Sequence, residues 1–255
     1  MEEWRFIALR NIDPYTFQCV RETLTTSVDR GIAPSTLLLE QPSSPFIAVG
    51  KFTNVGSIVN VAFCQESGIP IIRTISPHAS HGFYDQNCLR CIFVAKSLLF
   101  PDSPIFYKFF YKAVMASLRN LGIQADHQPD TNNILIEQKK LSVISQGVFG
   151  ETMMMSCSLP LDFDYDSAEK AIISKKDMRQ WVTTINKELG RDVSFDEVLD
   201  AIKQGFRSVL EVEFVDNELT GEEIRIGEEV KGKYLSETWA KTGRWSPVKD
   251  YWRPE

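Results

Sequence analysis

The sequence predicts an α+β fold, a mixed β-sheet core with flanking helices and a helical C-terminal segment. Three observations carry this reading. Short apolar runs bounded by turn residues recur through the first 165 residues, as strands do. No internal repeat or low-complexity tract divides the chain. Two capping-box patterns, Ser194-Phe-Asp-Glu197 and Leu219-Thr220-Gly-Glu-Glu223, open helices in the last third. A sheet followed by a run of helices is the α+β pattern. Residues 1–255 therefore read as one domain, with residues 1–165 sheet-rich and 166–255 helical.

Trp4–Leu9 is apolar-rich and forms the opening strand. Pro14 starts a helix that runs to about Arg30 and stops at Gly31 and Pro34. Thr36–Glu40 and Phe46–Gly50 are short strands joined by a Pro/Ser turn. Asn60 caps a helix to Ser67, with Gly68 as its stop. Ile69–Arg73 is a buried strand, Thr74–Asn87 a polar loop, and Leu89–Lys96 a strand again.

Pro104–Asn120 is a helix whose Phe106, Phe109, Phe110, Val114 and Leu118 face a core or a tunnel. Asn133–Glu137 and Leu141–Phe149 pair as a hairpin around Gln138-Lys139-Lys140, and Thr152–Leu161 follows as an apolar strand. Within it, Met153, Met154 and Met155 alternate faces, so at most two can line a pocket. Val198, Ile202, Phe206, Val209 and Leu210 continue the helix after Ser194. A charged helix runs from Thr220 to about Ala240.

Composition excludes several classes. With 28 basic and 34 acidic residues the chain has no general attraction for nucleic acid or anionic membrane. Lys139-Lys140, Lys175-Lys176 and Arg73 are the local basic patches. No apolar run reaches the ~18–20 residues of a membrane span. Met1–Arg10 opens on two acids rather than on the basic n-region of a secretory signal. Five cysteines, an odd number, point to reduced thiols and a cytoplasmic location. His78, His81, Cys88 and Cys91 have a zinc-like spacing. On a strand, however, Cys88 and Cys91 face opposite sides, so no metal is assigned.

Several segments, taken in order, resemble the lipoate–protein ligase family of the biotin/lipoate protein ligase superfamily. Phe46-Ile-Ala-Val-Gly-Lys-Phe-Thr-Asn54 and Asn60 resemble its strand plus G-R-x-Q-N segment and later Asn. Glu66-Ser-Gly-Ile-Pro-Ile-Ile-Arg73 resembles the approach to R-R-x-S-G-G-G-A-V-Y-H-D. Asn132-Asn-Ile-Leu-Ile-Glu-Gln-Lys-Lys-Leu-Ser142 resembles N-D-I-x-x-x-G-K-K-I-S-G. Ser158–Asp164, Ile185–Glu197 and Lys233–Trp239 resemble the strand after H-G-T and the C-terminal helices.

The resemblance implies the catalytic-domain fold of that superfamily and transfer of lipoate or octanoate to a lysine of a lipoyl carrier domain. Ligases of the family use ATP and magnesium to form an acyl-adenylate, whereas transferases take the acyl group from another carrier. The family's accessory C-terminal domain has no counterpart here, which implies its absence or its supply in trans. By motif match Lys140 is the catalytic lysine, anchoring the acyl carbonyl or adenylate. Arg73, Ser76, Asp85, Asn132 and Ser142 fall on substrate- or adenylate-binding positions. Arg73 would pair a phosphate or carboxylate, and Asp85 would assist magnesium or cap its loop. Cys157 is placed by the acyl pocket, where a thiolate would carry an acyl group.

The chain departs from the family pattern at the site. Thr74 replaces the second arginine, and Pro77, His78 and Ala79 replace three glycines. Gln138 and Val143 replace two more glycines, Asn133 replaces an aspartate, and Ser156-Cys157 stands for His-Gly. Proline offers a phosphate no N–H. Two functions follow: an acyltransferase or ligase with an altered loop, or a silent paralogue that binds a carrier domain, a lipoyl group or a ligase. A zinc- or redox-responsive protein is the third.

Overall fold

The apolar runs assemble into two sheets with helices on their faces. The computed structural model describes residues 3–76, 81–100, 102–173 and 177–245. Pro77, His78, Ala79, Lys175 and Lys176 lie outside the described residues. In chain order come β1 (Glu3–Ile12), α1 (Pro14–Asp29), β2 (Thr36–Pro42), β3 (Phe46–Val49), α2 (Val61–Glu66) and β4 (Ile71–Arg73). Next are β5 (His81–Tyr84), β6 (Cys88–Lys96), α3 (Ser103–Asn120), β7 (Asp126–Gln128), β8 (Asn133–Ile136), β9 (Lys139–Phe149) and β10 (Thr152–Pro160). The remainder holds α4 (Tyr165–Ala171), α5 (Ile185–Leu189), α6 (Phe195–Leu210), β11 (Glu213–Asp216), α7 (Gly221–Leu235) and α8 (Glu237–Thr242).

The large sheet has the order β11-β1-β2-β6-β10-β9-β8-β7, and the small one β4-β3-β5. β1 runs parallel to β2 and β11, and β3 parallel to β4; the other pairs are antiparallel. This is the mixed sheet that the sequence predicts.

β6 lies between β2 and β10 and is buried on both faces from Cys88 to Ala95. Its alternate residues serve different layers. Ile92 and Val94 join Leu38, Met154 and Val20, Leu24 and Val28 of α1. Phe93 instead enters a core with Phe106 and Phe110 of α3 and Ile202 and Phe206 of α6. α1 is capped by Asp13, which accepts from the Tyr15 and Thr16 amides. Its far side packs on α7 and the small sheet, where Phe17, Phe46, Ile72, Ile226 and Tyr234 share a cluster.

Three differences from expectation are physical. The polar stretch 74–87 contains β5, because His81–Tyr84 pairs with β3 from Val49 back to Phe46. The C-terminal part returns to the large sheet through β11, which pairs with β1. The expected helix to Ala240 breaks at Ser236, whose hydroxyl caps α8 by accepting from the Trp239 amide.

Three buried ion pairs tie the layers. Arg5 on β1 donates twice to Glu223 on α7, at 2.7 and 2.6 Å. Lys233 on α7 donates to Glu22 on α1, at 2.5 and 2.6 Å. Arg90 on β6 donates from Nε to Glu40 Oε1 on β2 at 2.6 Å. Burial raises the Glu40 pKa to about 7 despite the opposing Arg90 charge. Removing one partner of such a pair leaves an uncompensated buried charge.

Two stability predictions follow. A Cβ at Gly205 on α6 would meet the Ser117 amide nitrogen at 2.6 Å and the Ala113 carbonyl at 2.8 Å, both on α3. Gly205→Ala gains about 1 kcal/mol of helix propensity, but the overpacking costs more, for a net loss of about 2 kcal/mol. Urea titration checks this, and an unchanged midpoint contradicts the close approach. The second concerns pH. Burial raises the Glu40 pKa from its ordinary 4.5 to about 7, so between those values the folded state holds the extra proton. Stability attributable to Glu40 is therefore greatest below the unfolded value and falls as pH rises toward 7. Melting temperatures at pH 5 and pH 8 should show wild type losing stability relative to Glu40→Gln over that interval.

Candidate active site

A cavity of 480 Å³ opens between the two sheets, with α1 on one side. β3 supplies Ala48 and Val49, and β9 supplies Val143, Val148 and Phe149. Along β10 alternation selects Met154 for the cavity, while Met153 and Met155 enter the α3–α6 core. The walls are thus mostly apolar, as a hydrocarbon chain requires. A second concavity of 790 Å³ shares Lys51, Phe52, Ile75, Val148 and Phe149 with the first and extends toward α7 and α8.

Lys140, on β9, is not among the residues that line the cavity, but its charge acts on His81, which lines it. The Lys140 backbone is fixed on both sides: it pairs with Leu135 of β8, and its N–H donates to Trp181 O at 2.8 Å. Its carbonyl accepts from the Thr183 amide at 3.0 Å. Burial lowers the Lys140 pKa. His81 opens β5 opposite Val49 and lines the cavity. Burial, then the Lys140 charge, lowers its pKa, which favours a neutral imidazole. The Lys140 charge is thereby felt by an imidazole that lines an apolar cavity.

The other sequence-predicted residues are distributed unevenly. Ser76 lines the cavity, and its carbonyl accepts from the Lys51 amide at 2.7 Å. Cys157 also lines it, but is only 2% exposed and pairs in register with Cys91 of β6. Arg73 was expected to bind a phosphate or carboxylate. Instead it is buried, with Nε donating to Ala240 O and Nη1 to the carbonyls of Gly50, Lys51 and Thr53. Its role here is to hold the loop after β3 against α8.

Asp85 caps its loop. One oxygen accepts from the Asn87 amide at 2.8 Å and the other from the Asp164 amide at 3.0 Å. Each oxygen thus accepts one backbone bond, and the loop is held by both. Among the described residues no three His, Cys, Asp or Glu side chains converge as a metal site would need. Asn132 has φ 57° and accepts the Tyr107 hydroxyl at 2.7 Å. Tyr107 in turn accepts from His127 Nε2 at 2.6 Å. The Ser142 hydroxyl is buried with no partner among the described residues. Cys88 and Cys91 are buried strand residues, His81 is exposed at the cavity, and His78 lies outside the described residues.

Sequence reasoning missed a polar group on the cavity's α1 side: Gln18, Arg21, Glu40 and Arg90. Arg90 stacks over the Phe17 ring at 3.9 Å, donates to Phe17 O, and reaches Gln18 Oε1 at 3.4 Å. The available signal was a charge inside a run that is otherwise buried on both faces: Arg90 within Cys88–Lys96 and Glu40 within Thr36–Pro42.

Comparison with known proteins agrees with this architecture. The model of a family described as the lipoyl protein ligase A/B catalytic domain matches residues 13–207. Octanoyltransferase LipM of Brevibacillus brevis is 24% identical over 277 residues, covering 94% of this chain and 99% of that protein. LipM of Oceanobacillus iheyensis is 24% identical, covering 87% and 90%. The bi-partite lipoate protein ligase of Thermoplasma acidophilum, from a structural study with its E2 lipoyl domain, superposes with a TM-score of 0.85 at 20% identity, covering 98% of this chain and 100% of that one. A lipoate-protein ligase A bound with ATP gives a TM-score of 0.84 at 20% identity, covering 94% and 99%. With the family model spanning most of its length, the chain belongs to the lipoyl protein ligase A/B catalytic domain family.

Proposed function

We propose that the protein transfers a lipoyl or octanoyl-type acyl group to a lysine of a lipoyl carrier domain. The observation that carries this is the apolar cavity lined by His81, on which the Lys140 charge acts, in a chain that octanoyltransferases match over 94% of its length. The acyl chain lies in the cavity and its carbonyl sits at the margin. When the carrier amine attacks, negative charge builds on the carbonyl oxygen. The Lys140 ammonium stabilises that charge where water is partly excluded. Neutral His81 accepts the proton that the amine loses as the C–N bond forms, while the acyl–sulfur bond to the donor carrier breaks and its thiolate leaves.

Among the described residues no three His, Cys, Asp or Glu side chains converge to hold magnesium, so no step is routed through the metal. A thioester carrier as acyl donor needs no metal; an ATP-dependent route would need ligands beyond Asp85. A second reading, binding without transfer, draws support from Arg73, whose guanidinium is committed to backbone carbonyls rather than offered to a ligand.

The test is mass spectrometry of an unmodified lipoyl domain, incubated with the protein and either an octanoylated carrier or ATP, magnesium and lipoate. One acyl adduct should form, and Lys140→Ala should slow it by about 10²–10³-fold, the usual effect of removing one charge-stabilising donor. His81→Ala should slow it by about 10²-fold, with the loss shrinking as pH rises and the amine deprotonates unaided. No adduct from either donor would remove the transfer reading and leave the binding one.

A further inference from the structure

Phe149 stands where the acyl cavity meets the second concavity, and it lines both. By alternation Ser145, Gly147 and Phe149 share one face of β9, and Ser156 and Met154 lie opposite the first two on β10. A Cβ at Gly147 would lie 2.6 Å from Phe149 Cε2 and 3.0 Å from its Cζ, with the Met154 methyl at 3.6 Å. The ring is therefore laid back along the strand, in the space that a side chain at 147 would fill. It is half-buried and backed by the cluster of Val20, Leu24, Val94 and Met154.

The strand that carries the ring is fastened at its end. Asp29, the last residue of α1, accepts from the Glu151 amide at 2.9 Å and the Thr152 hydroxyl at 3.1 Å. Gly150, at φ +56°, turns the hairpin so close to that carboxylate that a Cβ would lie 2.7 Å from it. Length then decides what fits. Lys140 lies at the start of β9 and Phe149 at its end, about 30 Å apart at ~3.3 Å per residue. His81, on which the Lys140 charge acts, marks the reacting end, so Phe149 is at the far one. With the ring over Gly147, the lining of β9 stays open only from Val143 to Gly147, about 13 Å by the same rise. An extended eight-carbon acyl chain spans about 9 Å at ~1.3 Å per bond along its axis, and a fourteen-carbon one about 17 Å.

We propose that Phe149, lying over Gly147, is the stop of the acyl cavity and sets its chain length. The substrate class is then a straight acyl group of about eight to ten carbons. A longer chain meets the ring, and without the ring its end would pass into the second concavity. This inference deepens the acyl-transfer reading of the same cavity and rests on it.

Calorimetry on the full chain tests it with octanoate and tetradecanoate. In an unobstructed tunnel each added CH2 tightens binding about fourfold. Wild type should gain less than about tenfold over all six added groups, because the ring turns them away. Phe149→Ala should raise the tetradecanoate-to-octanoate affinity ratio at least about tenfold, and Phe149→Leu, which keeps part of the bulk, by less. A wild type that gains more than that tenfold overturns the proposal, whatever the variants' folding. A smaller rise in Phe149→Ala overturns it too, including an equal weakening of both acids, since Phe149 would then be packing alone. The two readings fail separately. If octanoate binds and is transferred while the ratio ignores Phe149, only the stop falls. If neither acid binds wild type, both fall.

Discussion

Burial of α1 on nearly every side is the constraint on which the rest of the structure depends. From Phe17 to Val28 every residue of this helix is buried, polar ones included. An amphipathic helix at a surface turns its charges to water; α1 has no such face to give. One side meets the large sheet, another the small sheet, and α7 covers the remainder. Its charges must therefore be answered inside the protein. Asp13 at its start is answered by Lys231, and Glu22 by Lys233, both on α7. α7 thereby supplies the cations that answer Asp13 and Glu22, and Arg5–Glu223 fastens that cover to β1. Arg21 alone of these is turned to the cavity, which is why the cavity acquires a cationic side.

Much of this was legible in the sequence, and the exceptions share a cause. Long periodic segments such as Ser103–Asn120 and Phe195–Leu210 fell where the helical spacing put them. The hairpin of β8 and β9 was readable because both strands lie close in sequence. β5 was not. Four residues beginning His-Gly become a strand only through pairing with β3, some 35 residues away in the chain. β11 is similar: Glu213–Asp216 is half-exposed and held by its parallel ladder to β1. Short strands whose partners are remote carry no local signature.

The site divides along the same line. Lys140, Ser76 and Cys157 could be placed by a motif, because motifs record order and spacing. The Arg90–Glu40–Gln18–Arg21 group could not, because its members come from β6, β2 and α1 and meet only in three dimensions. Arg73 and Asp85 occupy family positions and also bond backbone groups: Arg73 through Nε and Nη1, Asp85 through one amide on each oxygen, the capping role that the resemblance offered as one of two.

Arg73 shows what such bonds do. Its Nη1 gathers the carbonyls of Gly50, Lys51 and Thr53, which shape the loop carrying Lys51 and Phe52 to the cavity rim. Its own carbonyl accepts the Trp239 indole N–H at 2.7 Å, and its Nε donates to Ala240. Gly243, at φ +65°, ends α8 so close to Lys51 O that a Cβ would lie 2.6 Å from it. The C-terminal helix, the loop after β3 and the end of β4 are consequently one mechanical unit. Since that loop forms the wall shared by the two concavities, the position of α8 sets how the acyl cavity communicates with the more open space beside it. Through its bonds to those carbonyls Arg73 thus couples the cavity rim to α8.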